Sequence, residues 1–262
     1  MSLSARQSDL DRIESALIRA GDVARRYTPG SVEWKDKKAG ERWDPVTEAD
    51  LAIDALLRES LPRSGEGWLS EETRDSSFRM ECSRVWIVDP IDGTREFVKG
   101  VPEWCISVGL VEDGQAVAGG VFNPTRDELI LGSLETGVTL NGSPVSGQRS
   151  ERLPGSRVLA SRSEVARGEW KRFDDAGFDV VPCGSVAYKL ALVAAGLFDA
   201  TWTLIPKHEW DVVGGGALVR ASGGVLLHAD GSTPTFNRED PKLPNFLAGN
   251  ETLLRAFMTE WL

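Results

Sequence analysis

About a third of the way along the 262 residues, the chain runs Val85-Trp86-Ile87-Val88-Asp89-Pro90-Ile91-Asp92-Gly93-Thr94. Residues 85–88 are a short apolar run of the kind that forms a buried strand. Pro90 fixes one φ angle and removes a donor, and Gly93 lets the backbone come close to a ligand. Two carboxylates, Asp89 and Asp92, therefore lie three residues apart on a turn at a strand end, with the Thr94 hydroxyl beside them. Hard oxygen ligands next to open backbone N–H groups suit a divalent cation and a phosphate together.

The surroundings of this turn predict an α/β protein in two halves. Upstream, Leu10, Ile13, Leu17, Ala20 and Ala24 at helical spacing predict an amphipathic helix over 5–27, stopped by Pro29-Gly30. The Lys-rich segment 31–43 reads as a loop or weak hairpin. Thr47 with Asp50 three residues on is a variant capping box. It starts a helix that carries Ile53, Leu56, Leu57 and Ser60 inward and ends at Pro62. Runs 85–88, 105–111, 116–122 and 129–134 predict strands, with Asp113-Gly114 and Asn141-Gly142 as tight turns. This half, 1–150, reads as α+β with two helices on a mainly antiparallel sheet. The polar stretch 146–155 marks the boundary. The second half, 151–262, alternates: strands at 158–160, 180–182, 200–204 and 225–227, helices at 164–176, 186–195 and 212–221.

Composition narrows the function. A formal net charge of −10 without a basic block argues against nucleic acid as a partner. No apolar run is long enough to span a bilayer, and Asp9, Asp11 and Glu14 interrupt any signal-peptide layout. Three widely spaced cysteines without a C-x-x-C, Cys82, Cys105 and Cys183, fit a reduced, cytoplasmic protein. Two histidines, His208 and His228, are too few for a His-rich zinc site.

Besides Asp89 and Asp92, three acidic positions stand at predicted helix starts or strand ends: Asp50, Glu71-Glu72 and Asp211. Each has a plain structural reading. Asp50 can be only a cap, Glu71-Glu72 only a solvated pair, and Asp211 only a helix-start residue. The 89–94 run is harder to reduce to structure, because a turn has no need of two carboxylates, a Pro, a Gly and a Thr in that order.

The run 86–94 resembles the signature of the inositol monophosphatase superfamily, and the resemblance extends over nearly the whole chain. Pro45-Val46-Thr47-Glu48-Ala49-Asp50 is similar to the family's upstream motif and Ser70-Glu71-Glu72 to its Glu-Glu element. Trp210-Asp211 with Ala221-Ser222-Gly223-Gly224 is similar to its second signature, and Gly184-Ser185 to its substrate-side segment. The chain departs from the family at Val212-Val213-Gly214, where small Ala residues are usual. The resemblance implies a layered αβαβα sandwich, usually a homodimer. It also implies two or three Mg²⁺ ions. Glu71, Asp89 and the backbone oxygen of Ile91 would hold one, Asp89, Asp92 and Asp211 a second, with a third, weaker ion near Glu71. Asp50 and Thr94 would orient and deprotonate the attacking water, and the N–H groups of Gly93 and Thr94 would grip the phosphate. Inhibition by Li⁺ is a further implication.

Two motif rivals fit less well. The Asp-x-Asp-Gly-Thr of haloacid-dehalogenase-type phosphatases has one residue between its carboxylates, where this chain has two. In a calcium-binding EF-hand loop starting at Asp89, position twelve would be Gly100, not Glu.

Substrate choice turns on smaller features. Arg95-Glu96-Phe97 resembles the 3′(2′),5′-bisphosphate nucleotidase branch, as does the 235–244 tail. Leu204 stands where the inositol enzymes tend to carry a Glu for sugar-like hydroxyls. Gly184, Ser185, Lys189, Lys207 and Trp210 are the remaining substrate-side candidates, with Arg238 as another phosphate clamp and Tyr188 or Trp210 as a base-stacking ring. The resulting expectation is a Mg²⁺-dependent phosphomonoesterase acting on adenosine 3′,5′-bisphosphate. An inositol phosphate or broad specificity is the alternative, and a non-catalytic metal- or anion-binding regulator the alternative of another class.

Overall fold

The computed structural model describes residues 3–37, 45–145, 147, 149–203 and 205–262. Helix α1 (Leu3–Ala24) buries the five residues whose spacing predicts it. It packs with α2 (Glu48–Ser60) on one face of a seven-stranded sheet. Before α2 lie the short strands β1 (Trp34–Asp36) and β2 (Pro45–Thr47), paired antiparallel. The large sheet comprises β3 (Gly67–Ser70), β4 (Arg84–Asp92), β5 (Cys105–Glu112), β6 (Gln115–Asn123), β7 (Glu128–Ser133), β8 (Gly137–Leu140) and β9 (Ser143–Pro144), in that spatial order. Strands β3 and β4 are parallel and the remaining pairs antiparallel. A short helix α3 (Thr94–Val98) succeeds β4. Asp113 and Asn141 both take positive φ, as their tight turns require.

A second sheet has the order β11-β10-β12-β16-β14. Its strands are β10 (Arg157–Ser161), β11 (Asp179–Cys183), β12 (Ala200–Thr203), β14 (Val225–Leu227) and β16 (Phe246–Gly249). Between the two sheets lie α5 (Val186–Ala194) and α6 (Glu209–Ala221), in one hydrophobic cluster with side chains from both sheets. The outer face of the second sheet is covered by α7 (Glu251–Trp261) and a 3-10 turn at Glu169–Phe173. The layer order is therefore αβαβα. Strands β13 (Lys207–His208) and β15 (Lys242–Leu243) pair beside the start of α6.

Three features differ from the sequence expectation. The helix expected over 164–176 is split into α4 (Arg162–Ala166) and the 3-10 turn by Gly168, at φ 77°. The aromatic packing of Trp170 and Phe173 against Trp202 and Phe257 holds that turn in place. Helix α7 is an addition, capped by Asn250 accepting from Thr252 N at 2.8 Å. The departure at Val212-Val213-Gly214 is absorbed by glycines opposite. A Cβ on Gly109 would lie 2.2 Å from Val213 Cγ1, and one on Gly119 2.3 Å from Gly214 O. Val213 thus fills space that Gly109 leaves, and α6 seats directly on β5 and β6. Residues 38–44 of the Lys-rich segment and Leu204 lie outside the described residues.

A half-buried ion-pair network closes the far end of the large sheet. Glu66 accepts from Arg12 Nη1 at 3.0 Å, Arg84 Nε at 3.0 Å and Trp86 Nε1 at 2.8 Å. Burial pushes the Glu66 carboxyl up, but the hydrogen bonds from Arg12, Trp86 and the Arg63 backbone outweigh it and hold it at about 2. A depressed carboxylate stabilises the fold above its unfolded value, near 4.5, and that contribution is lost as pH falls towards 2. Glu66→Gln is expected to cost about 2 kcal/mol at neutral pH and to flatten the acid limb of stability between pH 4.5 and 2. An unchanged limb in denaturant titrations across that range would contradict the assignment.

Candidate active site

The acidic positions converge because each ends a strand or begins a helix at the same edge of the layers. Asp50 lies in the first turn of α2, Glu71 just after β3, Asp89, Ile91 and Asp92 at the end of β4, and Asp211 in the first turn of α6. A cavity of about 240 Å³ is lined by Glu71, Asp89, Ile91, Asp92, Gly93, Thr94, Arg95, Gly184, Ser185, Lys189, Lys207 and Asp211 among others.

Carboxylate oxygens of Glu71, Asp89 and Asp211 lie within 4.8 Å of one another. Asp89 is buried. Its Oδ1 accepts from Ile91 N at 3.1 Å, while Oδ2 has no hydrogen-bond partner among the described residues. An orphaned carboxylate oxygen costs free energy unless something cationic meets it. Burial, then the charges of Glu71, Asp92 and Asp211, pushes the Asp89 carboxyl well above its ordinary range. Burial and the charge of Asp92 raise Asp211 to about 8. An all-oxygen donor set with an unmet lone pair fits a hard divalent cation such as Mg²⁺.

Asp92 lies in the same cavity but outside that triad. Its Oδ2 accepts from Ser185 Oγ at 2.7 Å and Ala187 N at 2.5 Å, so it also braces the start of α5. Glu71 and Glu72 are not a solvated pair. Lys37 Nζ lies 2.6 Å from an oxygen of each, and burial lifts Glu72 to about 7 against the pull of Lys37. The Lys37 ammonium is the counter-charge to Glu71 in this structure. It is one of three lysines between residues 35 and 38, and no spacing rule singles it out.

Asp50 does two things at once. Its Oδ2 closes the capping box, accepting from Thr47 N at 2.8 Å and Thr47 Oγ1 at 2.6 Å. Its Oδ1 lies 3.2 Å from Thr94 Oγ1, which is also 2.9 Å from Ile91 O. One hydroxyl proton serves either acceptor in turn. Burial raises the Asp50 carboxyl, with the Thr47 hydrogen bonds opposing. Gly93 sits at φ 92°, and a Cβ there would lie 3.1 Å from Glu103 O. Only glycine satisfies both the backbone angle and the space.

On the substrate side, Lys189 is buried and donates to Ser185 O at 2.7 Å, with burial lowering its pKa. Gly184 N donates to Glu103 Oε2 at 2.7 Å. Trp210 does not line the cavity; its ring stacks on His208 at 4.4 Å and packs against the core. Tyr188 is turned away into the core, donating to Glu128. The Arg238 side chain is exposed and bonds Lys242 O, and its N–H, with that of Asn237, is held by the buried Glu209. Neither Tyr188 nor Arg238 lines the cavity. The cavity also takes in Glu96 of the 95–97 motif, and Ser161, Arg162, Ser163 and Cys183, which the sequence reading does not place at the site. For those four, the one signal is position: 161–163 and 183 succeed or end neighbouring parallel strands.

Known proteins share this fold. The model of the inositol monophosphatase family matches residues 6–260, and the chain belongs to that family. It is 34% identical over 229 residues to inositol monophosphatase 1 of Solanum lycopersicum, covering 83% of each chain. It is 30% identical to the inositol-1-monophosphatase of Mesorhizobium japonicum, covering 97% of this chain and 96% of the relative. The solved inositol monophosphatase of Anabaena superposes with a TM-score of 0.78 at 26% identity, covering 97% and 95%. CysQ of Bacteroides thetaiotaomicron, a bacterial member of the same family, superposes with 0.78 at 25% identity, covering 94% and 98%. The family consists of phosphomonoester hydrolases, and this protein is one of them.

Like charges held together without a cation destabilise the fold. Asp89→Asn is therefore expected to raise the thermal midpoint of the metal-free protein by a few degrees. The same change should abolish the stabilisation that Mg²⁺ gives the wild type. Thermal melts with and without Mg²⁺ check both; an equal Mg²⁺ response in the two proteins would refute the ligand role.

Proposed function

We propose that the protein is a Mg²⁺-dependent phosphomonoesterase whose preferred substrate carries a second anionic group, with adenosine 3′,5′-bisphosphate as the leading candidate. The observation that carries this reading is the composition of one cavity. The carboxylates Glu71, Asp89, Asp92 and Asp211 share it with the cations Arg95, Lys189 and Lys207. A single phosphate met by divalent cations has no need of those side chains, whereas a second phosphate does.

Glu71, Asp89, Asp211 and the second oxygen of Asp92, with Ile91 O, would hold two or three Mg²⁺ ions. Bound there, Mg²⁺ offsets the charge of the phosphate dianion, acidifies a water and stabilises the leaving oxygen. The rest is work for the chain. Thr94 Oγ1 accepts the proton of the attacking water as it passes its own to Asp50 Oδ1, whose raised pKa suits that transfer. The N–H groups of Gly93 and Thr94, turned by the left-handed Gly93, orient the phosphate. Asp92 holds the start of α5 through Ser185 and so fixes the substrate wall.

An inositol phosphate is the second reading, favoured by relatives named inositol monophosphatase at 30–34% identity. The three cysteines are free, which suits a reducing cytoplasm. Among the described residues no helix is long and apolar enough to cross a membrane. A homodimer and Li⁺ sensitivity belong to the same proposal.

Phosphate release from adenosine 3′,5′-bisphosphate and from inositol 1-phosphate, each with Mg²⁺ or chelator, tests the reading. Release should require Mg²⁺, with the higher kcat/KM on the bisphosphate. Asp50→Asn should lower kcat by about 10²–10⁴-fold with little change in KM. Turnover of neither ester would overturn both substrate readings, and a preference for inositol 1-phosphate would transfer the assignment to the second reading.

A further inference from the structure

We infer that Arg162 is a specificity-determining residue, a directional contact to the second phosphate of the substrate beside Arg95, Lys189 and Lys207, and that Glu103 positions it. The inference rests on the bisphosphate reading above. Arg162 begins α4 immediately after β10 and lines the same cavity as the carboxylates. Its guanidinium is held by Glu103 in a fork. Nε lies 3.1 Å from Oε2, and Nη2 lies 2.6 Å from both Oε1 and Oε2. That pair uses one edge of the guanidinium and leaves the Nη1 edge out of the fork, and an arginine has five N–H donors in a fixed plane. Glu103 is itself anchored, since its Oε2 accepts from Gly184 N at 2.7 Å. The arginine is thus tied to the loop that ends at Ser185, the cap of α5, the helix that carries Lys189.

The geometry separates this arginine from a solvated surface cation. Its partner carboxylate is mostly buried, with 16% of its side chain exposed against 44% for Arg162. The hydrogen bonds from Arg162 and the Gly184 backbone outweigh the burial of Glu103 and hold its carboxyl below the usual range. The fork therefore stays ionised and oriented through neutral pH. Ser161 and Ser163, with hydroxyls 3.1 Å apart, flank the arginine on the same cavity wall. A planar donor edge beside two hydroxyls is matched to a phosphate monoester rather than to a neutral polyol. Lys207 lines the same cavity and adds charge without a fixed direction.

Steady-state kinetics of the wild type, Arg162→Ala, Arg162→Lys and Glu103→Gln on adenosine 3′,5′-bisphosphate and on p-nitrophenyl phosphate, with Mg²⁺ saturating, test the inference. Arg162→Ala should reduce the preference for the bisphosphate over the monoester by about 10–100-fold, the size of one lost charge-assisted fork. The change should come through KM for the bisphosphate. Arg162→Lys should recover part of it and Glu103→Gln should lose part. Monoester turnover by each variant reports that it is folded. A wild type that prefers the bisphosphate and an Arg162→Ala variant that keeps that preference would overturn this inference alone. A wild type with no preference would remove the bisphosphate reading and this inference with it.

Discussion

Asp89 is the residue on which the site depends. It is buried at the end of β4, one of its oxygens has no partner among the described residues, and Glu71 and Asp211 face it at distances that repel. Such an arrangement is unfavourable for a protein by itself, because buried carboxylates that approach one another hold protons or need a cation. The fold tolerates it because each carboxylate comes from a different rigid element. Two sheets and the α5–α6 layer between them hold those elements in place. The close seating of α6 on β5 and β6, through Gly109, Gly119 and Gly214, brings Asp211 to the end of β4.

Most of this centre is legible in the sequence, and the reason is local geometry. A strand that ends in Asp-Pro-Ile-Asp-Gly-Thr fixes the relative placement of three functional groups without tertiary information. The Thr47–Asp50 capping box likewise fixes the start of α2. What is not legible comes from long-range packing. Lys37 is one lysine among three in its stretch and Arg162 stands between two serines, and only the fold shows that each meets a carboxylate far away in sequence, Glu71 and Glu103. Trp210 reads as a stacking platform for a base, but the ring is already stacked on His208. Gly168 looks like one tolerated glycine within a helix, yet it ends that helix because Trp170 and Phe173 are needed in the aromatic core. Helix α7 differs from these, because its Asn250 cap and its buried stripe of Leu253, Leu254 and Phe257 are both local signals.

The two ends of the cavity carry different amounts of information. Its acidic end is common chemistry for a family of phosphomonoesterases. Its cationic end is where members of one fold diverge in substrate, since function is set by the site grafted on the fold rather than by the fold. Arg95, Lys189 and Lys207 give that end a positive character. Asp92 links the two ends, because the oxygen that holds Ser185 and Ala187 belongs to the same side chain that faces the acidic cluster. Occupation of the acidic end and ordering of the substrate wall are therefore mechanically connected through one carboxylate.

The most direct test of this account is anomalous diffraction from crystals soaked in Mn²⁺, a scatterer that replaces Mg²⁺ at oxygen sites. The account predicts a strong peak within bonding distance of Asp89 Oδ2 and of an oxygen from Glu71 or Asp211, with Lys37 displaced from Glu71. No peak at Asp89 under millimolar Mn²⁺, with the Lys37–Glu71 pair intact, would contradict it.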